Sequence, residues 1–336
     1  MSLSTLVITS TTPIRSKMPR LTLLITVCWA RLRDPASQVG GIWAARPLCS
    51  PDGWCFENAT QSSPRTAHSS HTRRDYELWW GALDSVVKAA AAAAAAREPP
   101  RVWLVGDSIT ERLNGMRYGV AMHDEAAARG LKAARAPLDE LSGATPPAVL
   151  AISGDQTQHV LYWLDRLERR PDADRLARVR GVVVLLIGTN NLGSGHLPSD
   201  AVAGIAAVAA RLARLLPAAR VLVSTLLPRG GLDNMRTRLV CPPRCAPDGE
   251  PFAGFQPAVR TVNSALPSAL AAHADVRDRV TIVDCSALFL LDSAGAAEFN
   301  VKLMPDGLHP SAEGAALWVK CLAPSVAREL AKLGET

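Results

Sequence analysis

Residues 101–112 read RVWLVGDSITER, and this stretch decides the fold. Residues 102–105 form a short apolar run rich in β-formers, the pattern of a strand buried on both faces. Gly106 breaks the run, Asp107 and Ser108 follow at once, and residues 109–119 read as the start of a helix. Ser108 therefore falls on a tight strand-to-helix turn, which lifts a hydroxyl clear of a sheet and turns backbone N–H groups toward whatever lies above it. That placement suits a nucleophile, although Asp and Ser are also ordinary helix N-cap residues.

The strand signature recurs downstream. Residues 149–152, 182–187, 221–226 and 280–283 are apolar, largely β-branched runs, and each reads as a buried strand. Helices are expected at 76–97, 111–130, 156–170, 199–216, 256–273 and 311–333, the first carrying eight consecutive alanines that have little to pack with and receive no function. Five strands alternating with helices imply an α/β fold, a three-layer sandwich around a five-stranded parallel sheet. A site in such a sheet lies at the carboxyl ends of the strands, and Ser108, Gly154 and Asn190 each fall just after one.

Three later blocks supply matching chemistry: Ser153-Gly154-Asp155, Gly188-Thr189-Asn190-Asn191 and Asp306-Gly307-Leu308-His309-Pro310. Ester cleavage needs a nucleophile, a base, a carboxylate to orient the base, and donors for the oxyanion. Ser108 is the candidate nucleophile and His309 the candidate base, with Asp306 three residues earlier placed to accept the other imidazole N–H. Taken singly, Asp306 and His309 read as an N-cap and a surface histidine. Together with GDSIT, the blocks resemble the SGNH, or GDSL-type, hydrolase family, in the branch that includes platelet-activating-factor acetylhydrolase catalytic subunits; the resemblance covers about residues 76–333.

The resemblance implies a flavodoxin-like strand order and an oxyanion hole made of the N–H groups of Ser108 and Gly154 with the side-chain amide of Asn190. It also makes a homodimer worth testing. Asn191 stands where many members carry Asp, as also happens in the acetylhydrolase branch, and Leu226-Leu227-Pro228-Arg229-Gly230 resembles that branch too, placing Arg229 at the rim or against a carboxylate. The expected activity is a metal-independent, cofactor-free serine esterase. Its substrate is a small-molecule ester with a short acyl group, acetyl foremost, on a lipid or carbohydrate. Two other readings fit the same residues: an O-acetyltransferase that passes the acyl group to a sugar hydroxyl, and a non-catalytic binding protein that keeps the fold. The second would be marked by loss of a triad member, and none is missing.

Composition bounds the rest. The chain has 336 residues, 48% of them hydrophobic, ample for a sizeable core. Of the net charge of +6, residues 1–75 carry most, with nine Lys or Arg against four Asp or Glu, which leaves 28 basic and 27 acidic residues for the remainder. No basic stripe interleaved with aromatics appears in that remainder, so nucleic acid is not an expected partner.

Residues 1–33 have no acidic residue, and Arg15, Lys17 and Arg20 precede a ten-residue apolar run at 21–30. This suits a secretory signal peptide, or an organelle transit peptide; cytoplasmic residence follows if the leader is an artefact of the gene reading. Residues 34–75, rich in Ser, Pro, Arg and Gly, read as a linker, leaving 76–336 as the hydrolase domain.

Cys49/Cys55 and Cys241/Cys245 suit local disulfides and match zinc spacings poorly, whereas Cys285 and Cys321 are expected as buried thiols. Asn58-Ala59-Thr60 is a glycosylation sequon. Asp107 and Asp155 are expected to bond nearby backbone N–H groups. His123, His159, His196 and His273 read as surface or structural, with His196 nearest the expected site. The Pro- and Gly-rich insertion at 228–255 should overhang the same rim, either as a stapled surface loop or as a substrate-selecting wall.

Overall fold

The computed structural model describes residues 57–66, 72–230, 255–291 and 299–334. The leader, the Cys49/Cys55 and Cys241/Cys245 pairs, and most of the 228–255 insertion lie outside these residues.

The first helix, α1 (Arg73–Ala95), precedes β1 (Val102–Gly106) and the short α2 (Ser108–Glu111). A two-stranded hairpin follows, β2 (Met116–Arg117) and β3 (Val120–Ala121), then α3 (Glu125–Ala134), α4 (Ala136–Ser142) and β4 (Ala148–Ala151). The chain continues through α5 (Thr157–Glu168), β5 (Val182–Leu186), α6 (Thr189–Gly193), α7 (Pro198–Leu215) and β6 (Arg220–Ser224). It closes with α8 (Gln256–Ala271), β7 (Val280–Val283) and α9 (Ala312–Gly334).

The main sheet has the order β4-β1-β5-β6-β7, every pair parallel. Numbering only its five strands, that is 2-1-3-4-5, the flavodoxin-like order with its switch point beside β1. On one face α1 packs on α5, α5 on α7, and α7 on α8; on the other, α9 packs on α3 and α4. β1 and β5 are buried along their whole length, which is why they read as continuous apolar runs rather than alternating ones. The expected three-layer sandwich is therefore present, with its strand ends shifted by at most two residues.

Three local expectations change. The single helix expected over 111–130 is instead a short turn of helix, the β2–β3 hairpin and α3. Gly115 and Gly119 adopt φ of 66° and 73°, and Tyr118 between them reaches 52°, backbone that ends a right-handed helix. The alanines of α1 do pack: Ala90, Ala91 and Ala94 are buried, their small side chains letting the helix lie close on the core. Cys285 and Cys321 are not free thiols but a disulfide, S–S 2.08 Å, joining the segment after β7 to α9. Their separation of 36 residues concealed the pairing.

Part of the stretch read as a linker is also ordered. Residues 57–66 lie along the start of α5: Thr157 Oγ1 donates to the Ala59 carbonyl at 2.8 Å and the Ser63 N–H to the Gln158 carbonyl at 3.2 Å. Polar backbone contacts of this kind leave no hydrophobic period to read. The Asn58 side chain folds over its own sequon, accepting from the N–H and hydroxyl of Thr60.

Candidate active site

β1 delivers Ser108 to the carboxyl edge of the sheet, and the turn there is built by close approach. A Cβ on Gly106 would stand 2.4 Å from both the Leu186 carbonyl and Thr110 Oγ1, so only glycine lets the chain leave the sheet here. Asp107 then caps α2 by accepting the Ile109 N–H at 3.0 Å, as expected. Burial raises the Asp107 carboxyl to about 7, against the opposing pull of the Ile109 N–H and Arg229.

Ser108 Oγ lies 2.8 Å from His309 Nε2, and His309 Nδ1 lies 2.7 Å from Asp306 Oδ2. Asp306 Oδ1 accepts the N–H groups of Leu308 and His309 at 3.0 and 2.7 Å, so the carboxylate shapes the loop as well as the ring. Burial alone would raise the Asp306 carboxyl; the hydrogen bond from His309, that residue's charge and the two backbone donors outweigh it and hold the group well below the usual carboxylate range. With Nδ1 facing a carboxylate, the network assigns the proton to Nδ1 and leaves Nε2 to accept from Ser108. Ser108 and His309 are 7% and 6% exposed, enough shielding to strengthen the exchange while leaving the hydroxyl reachable.

Ser108 and Gly154 stand at the same edge and both line the cleft. Ser108 opens α2, where the first N–H groups have no intrahelical acceptor, and Gly154 follows β4 at φ 77°. That left-handed φ favours glycine, and a Cβ here would fall 2.3 Å from Arg65 Nη2, so the guanidinium would have to shift. The Asn190 amide nitrogen donates to the Asp155 carbonyl at 3.0 Å and lies 3.3 Å from Asp107 Oδ2, fixing the amide at the cleft wall. Ser108, Gly154, Asn190 and His309 all line one cleft, with Arg112, Arg117, Tyr118, Ser153, Arg229 and Leu308. The structure thus brings together Ser108, His309, Asp306, Gly154 and Asn190, residues up to 201 positions apart.

Asn191 turns away from the cleft. Fully buried, it accepts the Thr157 N–H and donates to Thr157 Oγ1 and Gln158 Oε1, tying α6 to α5. An amide can do both, whereas a carboxylate could only accept. Arg229 lines the cleft, the first of its two expected placements, with its guanidinium 4.7 Å over Phe255 and bonded to the Thr189 carbonyl. Asp155 also departs from expectation, accepting the indole N–H of Trp79 at 2.7 Å instead of a backbone donor; burial pushes its carboxyl well up. His159 is a buried structural residue: its Nδ1 accepts the Gln156 N–H, its Nε2 meets Glu57, and burial lowers its pKa despite that carboxylate. His196 is buried and absent from the cleft lining, while His123 is exposed.

Two supporting residues were missed in the sequence. Glu111, 4% exposed, accepts four donors: the N–H of Gly119 at Oε1, and the N–H of Tyr118 with the N–H and hydroxyl of Ser153 at Oε2, all within 2.6–3.0 Å. It clamps the loop that presents Gly154 to the hairpin that presents Arg117. Arg65 backs the same loop, donating to the carbonyls of Ser153 and Gly154 at 3.0 and 3.2 Å. A glutamate in a helix's first turn looks ordinary, and an arginine in a Pro- and Ser-rich stretch carries no period, so neither had a legible signal.

Known proteins share stretches of sequence and structure with this chain. The description GDSL-like lipase/acylhydrolase matches residues 104–317, well over half of the chain. Among curated relatives, the platelet-activating factor acetylhydrolase IB subunit alpha1 of Rattus norvegicus is 40% identical over 84 residues, 25% of this chain; the match spans about a third of that relative's length, 32%. A solved structure from Streptococcus pneumonia described as a platelet activating factor is 19% identical, covers 74% of this chain and 94% of its own, and has a TM-score of 0.48. An acetyl xylan esterase from Geobacillus stearothermophilus is 16% identical, with 68% and 95% covered and a TM-score of 0.41. The chain belongs to the GDSL-like lipase/acylhydrolase family.

Proposed function

We propose that the protein hydrolyses a short-acyl, foremost acetyl, ester of a small molecule, a lipid or a carbohydrate, by a serine acyl-enzyme route. The observation that carries this reading is the chain of contacts from Ser108 Oγ to His309 Nε2 and from His309 Nδ1 to Asp306. His309 Nε2 takes the serine proton as Oγ bonds to the ester carbonyl carbon. The oxyanion so formed meets the N–H groups of Ser108 and Gly154 and the amide of Asn190. Collapse breaks the bond to the alcohol oxygen, which leaves with the proton from His309. Water, deprotonated by the same imidazole, then adds to the acyl carbon, and release of the acid restores the serine hydroxyl. Asp306 holds the ring in the required tautomer throughout.

The test is turnover of p-nitrophenyl acetate by the purified chain and its Ser108→Ala variant, with circular dichroism to verify folding. The reading expects the wild type to release p-nitrophenol and the variant to lose at least about 10³-fold in kcat. Equal turnover by both folded proteins rejects Ser108 as the nucleophile.

A further inference from the structure

The lining of the cleft is strongly cationic. Arg112, Arg117 and Arg229 all border it, and among the described residues no carboxylate side chain does. Arg229 is a wall residue, buried and committed to the Thr189 carbonyl and the Phe255 ring. Arg117 is different. It is exposed at the tip of the β2–β3 hairpin, and among the described residues its guanidinium has only the ring of Tyr118, 5.7 Å away, and no ion pair. Its backbone is nevertheless anchored, because Glu111 holds the N–H groups of the next two residues. The hairpin thus holds Arg117 at the lining of the reaction cleft, with no counter-ion among the described residues.

The cleft also continues beyond these residues. Arg112, Arg117 and Tyr118 are shared with an adjoining hollow of about 350 Å³, lined in addition by Arg74, His123, Leu78, Val120 and Met122. That volume suits a small ligand. Two carboxylates, Asp75 and Asp124, border the hollow; Asp124 is occupied in capping α3 through the Ala127 N–H. Guanidinium groups bind carboxylate or phosphate oxygens in a two-pronged manner, and a site built to meet such a group discriminates sharply against analogues that lack it.

We infer that the preferred substrates carry an anionic group, a carboxylate or a phosphate, on the alcohol portion of the ester, bound by Arg117 and Arg112 where the cleft opens into the adjoining hollow. This deepens the esterase reading and rests on it. An acetyl group has no place for a charge, so the anion belongs to the alcohol that leaves. Arg117 is a specificity-determining residue here and takes no part in bond making.

The test compares kcat/KM for four acetates of matched leaving groups: 3-acetoxybenzamide (neutral), 3-acetoxybenzoate, 3-acetoxyphenyl phosphate, and 3-acetoxy-N,N,N-trimethylanilinium. The inference expects at least one anionic ester to exceed the neutral one by about tenfold or more and the cationic ester to fall below it; whichever anion is favoured identifies its source. Arg117→Gln should bring the anionic-to-neutral ratio down toward one, mainly through KM, while Arg117→Lys retains part of the preference. Raising the salt concentration should also compress the ratio, because an exposed charge is screened. Equal use of anionic and neutral esters by the wild type overturns the inference while leaving the esterase reading intact, as does an Arg117→Gln variant that lowers all four esters equally. No turnover of any ester by folded protein, with no fluorophosphonate label on Ser108, overturns both.

Discussion

Replacing Glu111 with Gln tests whether the site is positioned by a buried carboxylate. The two side chains have nearly the same shape, so the change alters charge and donor pattern and little else. Glu111 accepts from Gly119 at Oε1 and from three donors of Tyr118 and Ser153 at Oε2. The amide's best orientation keeps its oxygen toward those three and turns its own N–H₂ on the Gly119 N–H. That leaves one part-buried donor unmet, at about 1–3 kcal/mol. The three surviving bonds lose the charged acceptor that made them roughly twice as strong, about 1 kcal/mol each. Because a neutral side chain is easier to bury, the net loss should be about 2–4 kcal/mol. For a domain of this size that lowers the midpoint of thermal unfolding by about 4–16 °C.

Activity should suffer separately from stability. Ser153 precedes Gly154, and a shift of about 1 Å in a positioned group can cost 10²-fold. Glu111→Gln, assayed well below its melting point with p-nitrophenyl acetate, should lose about 10–100-fold in kcat with a much smaller change in KM. A variant with wild-type melting and wild-type kcat would refute the claim that Glu111 carries the loop.

Other consequences are as direct. His309→Ala and Asp306→Asn should each lower kcat by about 10³–10⁴-fold in steady-state assays; a loss under tenfold would remove that residue from the chemistry. Gly154→Ala combines φ 77° with a Cβ placed 2.3 Å from Arg65 Nη2, so it should cost about 1–3 kcal/mol in urea unfolding and most of the activity; a neutral result would mean that the turn is not held as described. The Cys285–Cys321 disulfide closes a loop with a separation of 36 residues, worth about 3–4 kcal/mol in the chain-entropy account, so the double Cys→Ala variant should lose that amount against denaturant, and a loss below about 1 kcal/mol would contradict it. Burial lifts Asp107 from 3.8 to about 7, so the folded state keeps a proton that the unfolded chain releases. Its contribution to stability therefore declines as pH rises from about 4 to 7, and Asp107→Asn should flatten the fall in unfolding free energy across that range. An unchanged slope would rule out Asp107 as its source.

The parts legible in the sequence were those written in local pattern. Apolar β-branched runs marked the five strands because a parallel sheet buried on both faces needs no polar alternation, and Gly106 marked the end of β1 because the chain there touches β5. Ser108, Gly154, Asn190, Asp306 and His309 stood out because each follows or precedes such an element within a short block. The hidden parts depend on partners distant in the chain. Glu111 meets Ser153 from 42 residues away, Arg65 reaches it across 88, and Cys285 finds Cys321 across 36. No periodicity encodes such contacts. The hairpin at 116–121 escaped for a different reason: two glycines and a left-handed Tyr118 interrupt a stretch whose composition otherwise permits a helix.

The central claim is that Ser108 is an activated nucleophile, and labelling tests it most directly. The purified protein is treated with a fluorophosphonate probe, digested and analysed by mass spectrometry, alongside the His309→Ala variant under the same conditions. The account predicts one adduct, on Ser108, in the wild type and little or none in the variant, because the hydroxyl reacts only while the imidazole removes its proton. A folded wild-type protein that takes no label on Ser108, or a His309→Ala variant that labels as fast, would contradict it.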